Sequence, residues 1–140
     1  MYYAVIDTNV LVSALLSADF YKSAPGKVVG HMLEGEIIPI YSEEILAEYR
    51  DVLQRAKFHF PLDQILLLLN EIKRRGIYES RLFTEEVFSD PDDAVFYEVT
   101  LAHTEKEAAY LVTGNTKHFP VKPFVVTPRQ MIDLIENPRY

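Results

Sequence analysis

An apolar run, Ala4-Val5-Ile6, stops at Asp7-Thr8-Asn9 and resumes as Val10-Leu11-Val12. A carboxylate closing a buried strand stands where open α/β sheets build their ligand crevice, outside the carboxyl ends of the strands. There it needs a cation or a hydrogen-bond donor. A second apolar run finishes the same way, in Val112-Thr113-Gly114-Asn115, and in a parallel sheet both loops fall on one edge. Helices that start at that edge bring their first turns to it, which is where Asp90, Asp92 and Asp93 belong. Glu48 lies one to two turns inside its own helix, beside Leu46 and Tyr49. Converging carboxylates repel unless something positive sits between them, so these acids are candidate cation ligands.

The rest of the composition is that of an ordinary domain. The chain has 140 residues, enough for a single domain over 1–140 and no second core of similar size. Hydrophobic residues make up 49% and charged residues 25%, which excludes a disordered chain. Without cysteine there is neither a disulfide framework nor a thiolate metal site, and a reducing compartment is compatible. The longest apolar run, Ile65 to Leu69, is too short to span a bilayer and the N-terminus lacks a basic signal segment, so the expectation is a cytoplasmic protein with no membrane partner. Net charge is −7, from 21 acids against 14 Lys and Arg, so any nucleic-acid binding must use a local basic patch or bridging cations.

Strands alternate with helices along the chain, which predicts a three-layer α/β/α domain with a central, mostly parallel sheet of about five strands. Tyr2 to Ile6 reads as the first strand and Thr8 to Leu16 as a helix. A second helix is expected over Lys27 to Glu34, closed by Gly35. Ile37 to Tyr41 reads as a strand, with Pro39 suggesting an edge or a strand end. Ser42 caps a helix in which Ile45, Leu46, Tyr49, Val52 and Leu53 recur at helical spacing. The helix opened by Pro61 ends at Lys73-Arg74-Arg75-Gly76, where cations suit the dipole and glycine a C-terminal cap. A weak strand is expected at Arg81-Leu82-Phe83, a helix from Asp90 to His103, and strands at Ala109 to Thr113 and Phe124 to Val126. Thr127-Pro128-Arg129-Gln130 is a capping box that starts the last helix.

Four blocks together resemble the PIN-domain ribonucleases, in order and spacing. They are Val5-Ile6-Asp7-Thr8-Asn9-Val10-Leu11-Val12-Ser13-Ala14-Leu15-Leu16, Ser42-Glu43-Glu44-Ile45-Leu46-Ala47-Glu48-Tyr49, Asp90-Pro91-Asp92-Asp93-Ala94 and Leu111-Val112-Thr113-Gly114-Asn115. The most similar branch is that of the toxins of toxin–antitoxin pairs. The resemblance implies that Asp7, Glu48 and Asp93 are the metal-binding acids, with Asp90 and Asp92 assisting or substituting, and that Thr8, Asn9 and Thr113 organise the site. It further implies Mg²⁺ or Mn²⁺ as cofactor, RNA as substrate, a small antitoxin protein as partner and a homodimer. The family commonly carries a fourth acid where this chain has Asn115. An amide oxygen brings no charge, so one-metal catalysis or weak metal affinity is expected.

The chemistry agrees with the resemblance. Phosphodiester hydrolysis needs an activated water and stabilised phosphate charge, which hard cations on clustered carboxylates supply. Lys117 and His118 follow Asn115 and are candidate substrate contacts, while Arg50, Arg55, Lys57 and His59 follow Glu48 and are candidates for the groove's rim. Bland roles compete: Asp7 as a helix cap, Asp90 as another, Asp92, Asp93, Glu43 and Glu44 as first-turn acids, and Lys73 to Arg75 as a cationic helix end. His31 and His103 read as helix residues, and no zinc-ligand spacing is present. The Leu-rich stretch from Ile65 to Leu69 reads as core, or as a dimer or antitoxin surface if one side stays exposed. Two rival classes remain. One is an inert PIN-like module that binds RNA or protein; the other is a phosphatase or phosphoacceptor domain using Asp7 as nucleophile. Against the second, Asn9 stands where a haloacid-dehalogenase pattern wants an Asp.

Overall fold

The apolar runs form five parallel strands, β1 (Tyr2–Ile6), β2 (Ile37–Tyr41), β3 (Ile77–Tyr78), β4 (Ala109–Val112) and β5 (Val125–Val126), ordered β3-β2-β1-β4-β5. Around them run α1 (Thr8–Leu16), α2 (Ala24–Glu34), α3 (Glu43–Leu53), α4 (Leu62–Arg75), α5 (Pro91–Thr104) and α6 (Pro128–Glu136). The structure, a computed structural model, describes residues 1–138. Central β1 pairs with β2 from Tyr2–Ile37 to Ala4–Pro39 and with β4 from Tyr3–Ala109 to Ile6–Val112. Its Ala4, Val5 and Ile6 are all buried, as a strand covered on both faces requires. Tyr2 and Tyr3 identify the two covers. The Tyr2 hydroxyl donates to Leu134 O of α6 at 2.9 Å, whereas the Tyr3 ring lies 4.8 Å from that of His103 in α5. Successive strand residues face opposite ways, so α5 and α6 lie in opposite outer layers of the expected three-layer α/β/α fold.

Several helix ends follow the sequence and others depart from it. Gly35 caps α2 in the left-handed conformation at φ 90°, and Thr127 and Gln130 make the reciprocal capping box. However, α2 starts at Ala24, three residues before the expected Lys27. Ser23 accepts from Gly26 N at 3.0 Å, and Gly26 belongs to the first turn because a Cβ there would stand 1.8 Å from Phe20 O. Gly76 ends α4 in an extended conformation, not as a left-handed cap. Its lack of a side chain serves a close approach, since a Cβ would lie 2.4 Å from Pro39 O. Pro39 itself is not in an edge strand, yet β3 pairs only with Ile40 and Tyr41 beyond it, so no ladder needs its missing N–H on that side. The strand expected at Arg81-Leu82-Phe83 does not form; β3 is the two-residue Ile77–Tyr78 instead.

α4 divides by face. Ile65, Leu68, Leu69 and Ile72 are buried, while Leu62, Leu66 and Leu67 are exposed. At its end Arg74 and Arg75 each reach Glu71 at 2.7 Å and hold that carboxyl down to about 2. No helix among the described residues is long and apolar enough to cross a membrane. On α3, the buried Tyr49 hydroxyl donates to Ile6 O, fastening the helix to the last residue of β1. Tyr49→Phe is expected to lower stability by about 1 kcal/mol, measured as a shift of the urea midpoint at unchanged slope.

Candidate functional site

Asp7 follows β1 directly and keeps its register, its N–H donating to Val112 O at 2.9 Å. It occupies the N-cap position of α1, but its side chain makes no capping bond. The carboxylate is held by two other donors. Thr113 Oγ1 donates to Oδ2 at 2.7 Å and Asn9 Nδ2 donates to the same oxygen at 3.0 Å. Each of these is fixed in turn: Thr113 Oγ1 accepts from Asn115 N, and Asn9 Oδ1 accepts from Gly114 N, both at 3.0 Å. Two strand-end loops, 105 residues apart in sequence, thereby lock one carboxylate from behind. Among the described residues no side chain donates to Oδ1. Fixing one oxygen with two side-chain donors is how a ligand carboxylate is oriented. Gly114 sits where a Cβ would come to 3.3 Å from Asn9 Oδ1.

The first turn of α5 supplies the other acids. Asp90 is its N-cap, accepting from Asp92 N at 2.9 Å, and Pro91 follows at the first helical position. Helix rotation then turns Asp93 towards Asp7. The Asp93 carboxyl is pushed up to about 6, by burial first, then by the charges of Asp7 and Asp90, with His118 opposing and Asp92 adding. Asp7 is raised too, by burial ahead of all else, with the Thr113 bond pulling the other way. Glu48 is likewise raised by burial and then by Asp92. The charges of Asp51 and Asp90 add to that of Asp92 at Glu48, with Arg55 opposing, and α3 packs on α5 where Tyr49 meets Phe96. The acids gather along one edge of the fold, beside the carboxyl ends of β1 and β4.

These shifts make the acidic edge a cost to the fold. The folded chain holds the Asp93 proton to higher pH than the unfolded chain does, so the folded state binds more protons between the two values. Stability is therefore expected to fall as pH rises from about 4 to about 6 and to stay lower above. Melting temperatures across that interval, compared with Asp93→Asn, which should flatten the slope, measure the effect.

The donor set fits a hard divalent cation, being carboxylate oxygens without sulfur. A second sign is the Thr8 hydroxyl beside Asp7, buried without a hydrogen-bond partner. Among the described residues no three His, Asp or Glu side chains stand close enough to hold a metal ion together. Asp93 feels the charge of Asp7, while Glu48 feels those of Asp92, Asp51 and Asp90. Asn115 is exposed and reaches this network through its backbone N–H. His118, in a 3₁₀ turn from Thr116 to His118, places Nδ1 3.7 Å from Asp93 Oδ2, while Lys117 is exposed beside it.

Sequence reasoning placed Tyr49 in the core without its hold on Ile6 O, and it missed Arg81. Glu44 and the buried Glu98 both take Arg81 as partner, which fixes the irregular segment leading to Asp90. Likewise His103 is no simple helix residue. It is buried against Glu79 at 3.3 Å, and Lys106 grips both oxygens of that carboxylate at 3.0 Å. A charged residue inside the helical apolar pattern, Glu98 between Tyr97 and Val99, was the available signal.

A family model described as a PIN domain matches residues 3–117. No curated protein matches the chain.

Proposed function

Because the chain belongs to the PIN-domain family, whose members are generally nucleases that use divalent metal ions, we propose that it is a metal-dependent endoribonuclease. It hydrolyses RNA phosphodiester bonds and acts as the toxin of a toxin–antitoxin pair. The observation that carries the catalytic reading is the buried Asp7 carboxylate, fixed by Thr113 and Asn9, whose charge raises the half-buried Asp93. The toxin assignment rests on the resemblance of the four sequence blocks.

Asp7 and Asp93 hold the cation, Mg²⁺ or Mn²⁺, with Glu48, Asp92 and Asp90 supporting it. When bound, the cation supplies charge neutralisation at the phosphate and activation of a water nucleophile. Asn9 and Thr113 keep Asp7 in one orientation through Oδ2, so no reorganisation is needed during reaction. His118, close to Asp93 and exposed, meets the phosphate edge from the opposite loop, and Lys117 adds a cation beside it. Asn115, lacking charge, leaves the site with fewer negative ligands than a complete set of four acids, which favours a single metal.

Purified protein is expected to cleave RNA with Mn²⁺ and to stop in EDTA, and calorimetric titration with Mn²⁺ should show binding at millimolar concentration or below. A second reading, an inert PIN-like module, is favoured by the absence of any three-ligand cluster among the described residues. Absence of Mn²⁺ binding together with absence of cleavage would establish that reading instead. The antitoxin partner and the homodimer belong to the same proposal. The exposed Leu62, Leu66 and Leu67 face of α4 is the surface that supports them.

A further inference from the structure

The turn between α3 and α4 brings cationic and aromatic side chains together in this acidic chain. In Arg55-Ala56-Lys57-Phe58-His59-Phe60, two cationic residues and a histidine alternate with two aromatic rings, two turns beyond Glu48. Ala56–Phe58 form a 3₁₀ turn, closed by Phe58 N donating to Arg55 O at 3.1 Å. His59 follows at φ 55°, the one non-glycine residue with positive φ among those described. Histidine enters this region more readily than most residues, yet still at a cost. The reversal it produces brings Phe58 and Phe60 side by side, their rings 5.4 Å apart and nearly parallel at 11°.

Neither ring is fully buried. The Lys57 ammonium lies over Phe58, 5.1 Å from its centroid, and among the described residues Lys57 has no carboxylate partner. Several other cations are engaged by acids: Arg74 and Arg75 by Glu71, Arg81 by Glu98 and Glu44, Lys106 by Glu79. Arg55 meets Asp51 at 3.6 Å but is half exposed. It also lies within electrostatic range of Glu48, whose carboxyl its charge lowers. Five residues of helical rise, about 7.5 Å, separate Glu48 from the end of α3 at Leu53, and the turn begins two residues later.

We infer that the Arg55–Phe60 turn is a docking platform for single-stranded RNA beside the acidic edge, stacking one unpaired base on Phe58 while Arg55 and Lys57 take the flanking phosphates. The base replaces the Lys57 ammonium on the ring face, and the ammonium moves to phosphate. A sequence-tolerant stack of this kind suits single strands because every base presents a π-face. It also supplies the local positive charge that a chain of net charge −7 needs to approach RNA. This inference rests on the ribonuclease reading for the identity of the strand, and on the turn's geometry for the contact itself.

The test is fluorescence anisotropy with a labelled, unstructured oligouridylate, with Ca²⁺ in place of Mn²⁺. Wild type is compared with Phe58→Leu and Lys57→Gln, and melting temperature confirms that each variant folds. Phe60 is left alone because it packs partly on the core. Phe58→Leu should weaken binding about tenfold, and an abasic sugar–phosphate strand should bind wild type and Phe58→Leu alike. Lys57→Gln should reduce the slope of log K against log salt by about 0.7. If folded Phe58→Leu binds oligouridylate as wild type does, or wild type does not bind it, the platform is wrong, and cleavage of RNA by wild type would show that the nuclease reading survives. Phe58-dependent binding by a protein that cleaves no RNA would uphold the platform and overturn the nuclease.

Discussion

Asp93→Asn and Asp7→Asn are each expected to lower metal-dependent RNA cleavage by at least about a hundredfold, with the double substitution no worse than either alone. In the proposed site the two carboxylates address the same cation, so removing one charge disables the unit and removing the second finds little left to lose. Both changes preserve shape. An amide oxygen at position 7 can still accept from Thr113 Oγ1 and Asn9 Nδ2, the donors that meet on Asp7 Oδ2, so the strand-end loops stay locked. Stability should move opposite to activity. Asp93 is raised to about 6 by burial and by the Asp7 charge, and neutralising it removes a partly buried charge and its repulsion, as substitutions at functional sites often do. Melting temperature above pH 6 should therefore rise in Asp93→Asn while cleavage disappears, which separates chemistry from unfolding. Glu48→Gln should cost less, because Glu48 feels the charges of Asp92, Asp51 and Asp90 rather than that of Asp7. Unchanged cleavage in folded Asp7→Asn and Asp93→Asn would reject the assignment.

What could be read from the chain depended on whether its determinants were local. β1 and Asp7, Ser42 before α3, Asp90-Pro91 before α5 and the Thr127 box before α6 all carry their reasons within four residues, and the structure has them as expected. The element missed, β3, is two residues long and exists only by pairing with Ile40 and Tyr41. Nothing in Ile77-Tyr78 announces that. The Arg81-Leu82-Phe83 run looked like a strand, but Glu98, seventeen positions on, takes Arg81 through its guanidinium, and Arg81 lies over Phe83 at 4.6 Å. The site was partly legible in the same sense. The edge that gathers the acids follows from strand direction, whereas Asp93 was singled out from Asp90 and Asp92 by the family resemblance alone, its orientation depending on the rotation of α5. Three acids within one turn cannot reveal that rotation in advance.

Arg81 carries the second large prediction. Its guanidinium bridges two helices, donating from Nε at 3.0 Å and from Nη2 to Glu98 Oε1, and from Nη1 to Glu44 Oε2 at 2.9 Å. Glu98 is nearly fully buried, and its second oxygen accepts from Thr84 N at 2.7 Å. Arg81→Met should destabilise the protein by about 3 kcal/mol, since it leaves a buried carboxylate without its counter-charge. The effect should persist in high salt, because screening acts weakly on a buried pair. Removing both charges tests the cause: Arg81→Met combined with Glu98→Leu should recover much of the loss, the remainder reflecting the Thr84 N–H left without an acceptor. Arg81→Lys should recover less, because a single ammonium cannot reproduce a fork that reaches Glu98 and Glu44 at once. The same series reports on the site. The segment Arg81 fastens ends at Asp90, the cap that sets the first turn of α5, so Arg81→Met should also depress RNA cleavage in protein that is still folded at the assay temperature. Loss of stability with full cleavage would mean that α5 holds Asp93 in place without help from that clasp.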